Sequence, residues 1–285
     1  MKNAKLALSE KTQSPTVIQI GDRATVGGKD LLIVGGPCAV ETLEQMQQVA
    51  RHLSEAPVQL LRGGIYKPRT SPYSFQGLGD AGLTILSQVR EESGIPTVTE
   101  VMSISQIEGI ATHADMLQVG SRNMQNFDLL KALGHAGKPV LLKRGLAATL
   151  EEFIGAAEYI LSHGNPNVVL CERGIRSFDS YTRNVLDLGA VVALKQLTHL
   201  PVIVDPSHAA GKRELVPHLT RAAIAAGADG AIVECHPEPD KSVSDARQAL
   251  SLPEMVELVD SLRPIAAAVG RGVPVAQPAR ALSVA

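Results

Sequence analysis

The sequence predicts one α/β domain, a (β/α)8 TIM barrel entered through a short N-terminal β-hairpin. Three observations predict it. Eight short apolar runs recur along the chain, rich in Val, Ile and Leu and without strict alternation, as parallel strands covered on both faces should be. Stretches of helical periodicity with capping signals lie between them, so that strands recur at intervals of roughly 20–40 residues. No Gly-rich dinucleotide fingerprint follows the first run, which argues against a doubly wound sheet, and eight βα units suffice to close a barrel.

Residues 1–15 are polar and unpatterned and read as a flexible tail; residues 269–285 are small and Pro-interrupted and read the same way, leaving the barrel domain over 16–268. VIQIG (17–21) and the stretch around ATVGGKDL, separated by Asp22 and Arg23, read as the hairpin. Strands follow at LLIVGG (31–36), VQLLRGG (58–64), PTVTEV (96–101), MLQVG (116–120), PVLLKRG (139–145), NVVLCERG (167–174), PVIVDPSH (201–208) and GAIVECH (230–236). Between the first two, residues 42–55 place Leu43, Met46, Val49, Ala50 and Leu53 on one stripe, opened by a capping box of Thr42 and Gln45. Ser103 with Gln106 starts another helix. Thr149 and Glu152 open a helix over 149–163 that Gly164 closes, residues 213–226 form one ending at Gly227, and residues 252–262 form the last.

A chain of 285 residues that is 45% hydrophobic can bury a large core, which excludes disorder and collagen-like repeats. The formal charge of −2 gives no basic field for nucleic acid or an anionic membrane, and 3% aromatics offers no stacking platform for single strands. Three Cys are too few for a disulfide scaffold and suit a reducing compartment. No apolar run approaches 18 residues and the N-terminus has no secretory pattern, so a cytoplasmic protein is expected.

Barrel chemistry belongs at the C-terminal strand ends and in the loops beyond them. Each end here carries a suitable residue: Cys38; Arg62, then Lys67 and Arg69; Glu100; Arg122; Lys143; Arg173; Asp205 and His208; Glu234. Six of these are cations, and in a chain of net charge −2 their convergence calls for anions, on the order of two phosphates or a phosphate and a carboxylate. Cys38, His208 and Glu234, with an acid from the loop HPEPDKSVSDARQ, could hold a borderline divalent ion such as Mn2+, Fe2+ or Zn2+. Cys171 and Cys235 read as inert core residues. The loop KPRTSPYSFQGLG (67–79) brings Lys67, Arg69, Thr70 and Ser71 together, donors able to grip a phosphate.

The motifs GGPCAVE, LLRGGIYKPRTSPYSFQGLG, TEV, QVGSRN, LLKRG, CERG, VDPSHAAGKR and GADGAIVECHPEPDKSVSDARQ, spread over about residues 15–265, together resemble the 3-deoxy-7-phosphoheptulonate (DAHP) synthases of the type I beta group. That resemblance implies a metal-dependent condensation of phosphoenolpyruvate with erythrose 4-phosphate and water, giving 3-deoxy-D-arabino-heptulosonate 7-phosphate and phosphate, the first step of the shikimate pathway to aromatic amino acids. It implies metal ligands at Cys38, His208, Glu234 and Asp245, with Asp240 ranked lower, for one divalent ion among Mn2+, Fe2+, Zn2+ or Co2+. It places phosphoenolpyruvate on Arg62, Lys67, Ser121, Arg122, Lys143 and Arg173, and the aldose phosphate on Arg69 and Thr70 with Asp205 and Ser207 near its hydroxyl and aldehyde end. Lys67 is then the expected proton donor to the aldehyde oxygen, with Glu100 or Asp205 handling the proton of the water.

A homotetramer or homodimer is expected by resemblance, and no nucleic-acid or membrane partner. Only about 30 residues precede the first barrel strand, so no regulatory domain is expected there, and insensitivity to aromatic amino acids follows unless a separate partner confers control. Three rival readings stand beside this one. An octulosonate 8-phosphate synthase using arabinose 5-phosphate is disfavoured because its loop typically reads KANRSS where this chain has KPRTSP. A Schiff-base aldolase built on Lys143 leaves Cys38 and His208 unexplained, and a non-catalytic phosphosugar-binding barrel is disfavoured because no member of the metal set is missing.

Overall fold

The computed structural model describes residues 4–11, 14–69 and 71–276. β1 (Ile18–Ile20) and β2 (Ala24–Val26) form an antiparallel hairpin with Ile18 opposite Val26. Eight parallel strands follow: β3 (Leu32–Gly36), β4 (Leu60–Arg62), β5 (Thr97–Glu100), β6 (Met116–Val119), β7 (Val140–Lys143), β8 (Val168–Glu172), β9 (Val202–Val204) and β10 (Gly230–His236). They pair in chain order and β10 returns to β3, with Ala231 opposite Ile33, so the sheet closes into a (β/α)8 barrel. A two-residue strand, β11 (Leu250–Ser251), adds to β10 beyond the ring.

Pleating divides the apolar side chains into two cores. Leu32, Val34, Leu60, Val98, Met116, Leu141, Val169, Ile203 and Ile232 fill the barrel interior together with Ile18, Ile20, Ala24 and Val26 of the hairpin. The hairpin therefore packs across the lower end: a Cβ on Gly21 would lie 2.9 Å from Pro96, and one on Gly27 3.0 Å from Pro201, residues that immediately precede β5 and β9. Residues of the opposite pleat, such as Ile33, Leu61, Leu117 and Leu142, meet the surrounding helices.

Those helices are α1 (Leu43–Ser54), α2 (Asp80–Ser93), α3 (Ile107–His113), α4 (Phe127–Leu133), α5 (Leu150–Ser162), α6 (Leu188–Leu197), α7 (Pro206–Ala210), α8 (Val216–Ala225) and α9 (Leu252–Ala268). The capping box at Thr149 and Glu152 forms as expected. At Thr42 only half of one forms, because the Gln45 side chain accepts from Glu41 N instead. Residues 213–215 make a 3-10 turn before α8 rather than its first turn, and α9 runs past Pro264 to Ala268.

Part of the stretch read as an N-terminal tail is instead docked. The Glu158 carboxylate accepts from the backbone N–H groups of Lys5, Leu6 and Ala7, and Ala7 is fully buried. The start of the expected C-terminal tail is held too, by the Arg271–Asp229 ion pair at 2.9 Å and by Leu31 N–H donating to Gly272 O. Residues 1–3, 12–13 and 277–285 lie outside the described residues. Among the described residues no helix is long and apolar enough to cross a membrane.

Candidate active site and metal centre

All eight strands point their C-terminal ends to one side, and the polar residues found there surround a cavity of about 290 Å3. Its wall includes all six cations singled out in the sequence, with Cys38, Glu100, Ser121, His208 and Asp245. Arg62, Lys67, Lys143 and Arg173 are buried, whereas Arg69 is half-buried and Arg122 exposed. Gly36 sets the depth of the first strand end: at φ 141° it brings β3 so close to β4 that a Cβ would lie 2.2 Å from the Arg62 carbonyl oxygen.

Cys38, His208, Glu234 and Asp245 bring one candidate ligand atom each into a group whose members lie within 4.8 Å of one another. Cys38 Sγ donates to Asp245 Oδ2 at 3.0 Å, and His208 Nε2 is 3.3 Å from Glu234 Oε1. Asp205 orients the imidazole, taking Nδ1 at 2.8 Å on Oδ2 and the His208 backbone N–H at 2.9 Å on Oδ1. A carboxylate on one ring nitrogen that turns the other toward a cluster of donors is a metal-site arrangement.

The ionisation of these groups fits the same reading. Burial, then the neighbouring Glu234 charge, pushes the Cys38 thiol up to about 12, so it needs a cation to become a thiolate. Burial lowers the His208 pKa despite Asp205 and Glu234, favouring the neutral, ligating imidazole. Burial works most strongly against the charge on Glu234 and Asp245, but the attractions of a protonated His208 and of Arg62 at Glu234, and of a protonated His208, the Cys38 hydrogen bond and Arg183 at Asp245, together outweigh it, so both carboxyls sit below their usual range. One thiol, one imidazole and two carboxylates form a mixed set that suits a borderline divalent ion.

The cations are fixed from behind. Arg62 donates to Glu234 Oε1 at 2.9 Å and to Pro37 O at 3.2 Å, while its buried Nη1 has no hydrogen-bond partner among the described residues. Lys67 Nζ lies 2.7 Å from Cys38 Sγ, and Lys143 Nζ lies 2.5 Å from Asp205 Oδ2. Arg122 donates to Pro68 O at 2.9 Å, tying two mouth loops, and Arg69 donates to Ser244 Oγ at 2.9 Å. Gln118 donates to Glu100 at 3.2 Å.

The remaining expected residues fall in different places. Asp205 and Ser207 are fully buried and do not line the cavity: Asp205 sits behind Lys143 and His208, and Ser207 Oγ accepts from Glu234 N–H at 2.9 Å. Both brace the site from beneath, Asp205 through Lys143 and His208 and Ser207 through the Glu234 backbone. Asp240 is exposed and paired with Arg213 at 2.7 Å, away from the ligand group, so Asp245 is the fourth member. Thr70 lies outside the described residues. Cys171 joins the interior core and Cys235 the outer one, each a buried free thiol. Sequence reading missed Arg176 and Arg183, which also line the cavity from the loop after β8.

It also missed the other pleat face of β7 and β8. Next to Lys143, buried Arg144 donates to Glu172 at 2.8 Å, Asp187 at 3.1 Å and Ala148 O at 3.0 Å. Next to Arg173, Glu172 accepts from Gly174 N–H at 2.6 Å.

The model of the DAHP synthetase I family matches residues 10–267 of the chain. A phospho-2-dehydro-3-deoxyheptonate aldolase of Thermotoga maritima is 49% identical over 95% of this chain and 80% of its own length. A 2-dehydro-3-deoxyphosphooctonate aldolase of Syntrophotalea carbinolica is 32% identical over 90% of this chain and 98% of its own. The crystal structure of a Thermotoga maritima DAHP synthase superposes with a TM-score of 0.92 at 48% identity, covering 95% of this chain and 79% of that one. A truncated form of 3-deoxy-D-arabino-heptulosonate 7-phosphate synthase from the same organism gives a TM-score of 0.87 at 44% identity, over 94% and 98%.

Proposed function

The chain belongs to the DAHP synthetase I family, and from that premise we propose that it condenses phosphoenolpyruvate with erythrose 4-phosphate and water at the barrel mouth. The observation that carries this reading is a cavity lined by the six cations together with Cys38, His208 and Asp245, with Glu234 buried beside His208 to complete the ligand group. Those four residues would hold the divalent ion, which supplies electrophilic polarisation of an aldehyde oxygen.

Arg62, Arg122, Lys143 and Arg173 match the phosphate and carboxylate of phosphoenolpyruvate, and Ser121 adds a hydroxyl from the same wall. Arg69 takes the aldose phosphate. Carbon C3 of phosphoenolpyruvate then attacks the aldehyde carbon and the new C–C bond forms, while Lys67 delivers a proton to the aldehyde oxygen. Water adds at C2, and the tetrahedral intermediate breaks its C2–O bond to release inorganic phosphate, the C2 hydroxyl proton passing to the leaving phosphate, whose charge the buried cations hold. Glu100, on the cavity wall, takes the proton of that water. Asp205 acts through others by orienting His208 and Lys143.

Identity of 49% to the heptulosonate enzyme against 32% to the octulosonate enzyme, with KPRTSP in the mouth loop, supports the four-carbon aldose. A Schiff base on Lys143 is disfavoured, because an amine in a buried ion pair is a poor nucleophile. The three free cysteines support work in a reducing, cytoplasmic compartment, and the resemblance supports a homotetramer or homodimer. The test is loss of phosphoenolpyruvate with erythrose 4-phosphate against arabinose 5-phosphate, before and after chelation. Turnover of the four-carbon aldose that chelation abolishes is expected. Preference for arabinose 5-phosphate, or chelator-resistant turnover trapped by borohydride, would overturn the reading.

A further inference from the structure

We infer that Arg183, acting with Gln248, is a positioning residue for the metal centre, an inference that rests on the metal reading above. Arg183 Nη1 donates to Asp245 Oδ1 at 3.0 Å and to Gln248 Oε1 at 3.2 Å, and Gln248 Nε2 donates to Glu234 Oε2 at 2.7 Å. The Arg183–Gln248 pair thus holds one oxygen of each carboxylate, and Arg62 additionally donates to Glu234 Oε1 at 2.9 Å. The other oxygen of each carboxylate is turned into the ligand group, Asp245 Oδ2 at 3.0 Å from Cys38 Sγ and Glu234 Oε1 at 3.3 Å from His208 Nε2. Asp245 needs such a clamp, because it is the one non-glycine among the described residues with a positive φ, at 55°.

The clamp is itself anchored to the element that carries His208. Arg183 N–H donates to Ala210 O at 3.0 Å, Asn184 N–H to Ala209 O at 2.8 Å, and Asn184 Nδ2 to His208 O at 3.0 Å. Gly211 makes that approach possible, since a Cβ there would lie 2.6 Å from Arg183 Cβ. Residues 183 and 184 therefore join the segments bearing three of the four ligands, the guanidinium reaching Asp245 directly and Glu234 through Gln248, and the backbone with Asn184 reaching the His208 helix. Planar, multiply donating Arg suits this duty better than Lys.

The test titrates metal-stripped protein with Co2+ in competition with a chelator, following the thiolate-to-cobalt absorption. Arg183→Gln and Gln248→Met should each weaken Co2+ binding about 10–100-fold, with Arg183→Lys intermediate. Metal-free melting should match the parent. If Arg183→Gln fails to fold, Gln248→Met and Arg183→Lys decide. Unchanged Co2+ affinity in these variants while Cys38→Ser loses it would overturn the positioning role alone, as would a rise in KM for phosphoenolpyruvate without loss of Co2+ affinity. If Cys38→Ser also binds Co2+ normally, the metal reading falls and this inference with it.

Discussion

Replacing Arg144 by Met tests whether the hidden face of β7 and β8 sets the mouth. The change keeps an unbranched, apolar stem but removes the donors to Glu172, Asp187 and Ala148 O, and the Arg144 side chain is only 6% exposed while that of Glu172 is fully buried. Removing one partner of a buried pair leaves an uncompensated charge and costs about 3–5 kcal/mol. At about 2.1 cal/mol/K per residue, unfolding 285 residues carries an entropy near 0.6 kcal/mol/K, so Tm should fall by about 5–8 °C. Burial already raises the Glu172 pKa, against the pull of Arg144, and the variant removes that pull. A carboxyl whose folded pKa lies above its unfolded value of about 4.3 is protonated more in the folded state, so stability falls as pH rises through that window and recovers as pH is lowered. Urea unfolding followed by circular dichroism at a series of pH values reads all of this. The pair Arg144→Met with Glu172→Gln should restore much of the loss and flatten the pH dependence, since Gln can still accept from Gly174 N–H. A loss below about 1 kcal/mol in the single variant, or stability that climbs with pH over this window, would refute the reasoning.

Cys38→Ser should bind the divalent ion far more weakly, by more than the about 10–100-fold typical of a group one step removed, with the far-ultraviolet circular dichroism retained; undiminished turnover would remove Cys38 from the ligand set. Arg69→Ala should raise the KM for the aldose phosphate about 10–100-fold, from the loss of a charged hydrogen bond of about 1.5–3 kcal/mol, and leave phosphoenolpyruvate binding intact; an equal loss of both contradicts that division. Gly36→Ala forces a Cβ against the Arg62 carbonyl oxygen at φ 141° and should cost more than about 2 kcal/mol in urea unfolding while weakening phosphoenolpyruvate binding through displaced Arg62.

The barrel was legible because strands buried on both faces write themselves as unbroken apolar runs, and because polar residues gather where those runs end. Helices were less so. α6 reads LGAVVALKQL, apolar nearly all round and without a stripe, and α4 has seven residues, too few to show a period. Lys143 and Arg173 announced themselves by position, yet Arg144 and Glu172 stand at the same strand ends and belong to the opposite face; alternation was the available signal. Asp245 and Asp240 lie five residues apart in one loop, and only the fold separates a clamped acid from an exposed one. Arg176 and Arg183 sit in RSFDSYTRNV, a loop with no periodicity, and reach the cavity through the path of the backbone. Ser207 was legible as a polar residue beyond a strand end, but not its bond to Glu234 N–H, which only the fold brings within reach.

The hairpin wedged into the lower end of the barrel makes the molecule a vessel with a stopper. Entry and exit are then confined to the opposite pole, where exposed Arg122 and half-exposed Arg69 stand outside buried Lys143 and Arg173. Two apolar strands at one end thereby leave the cavity a single doorway at the other.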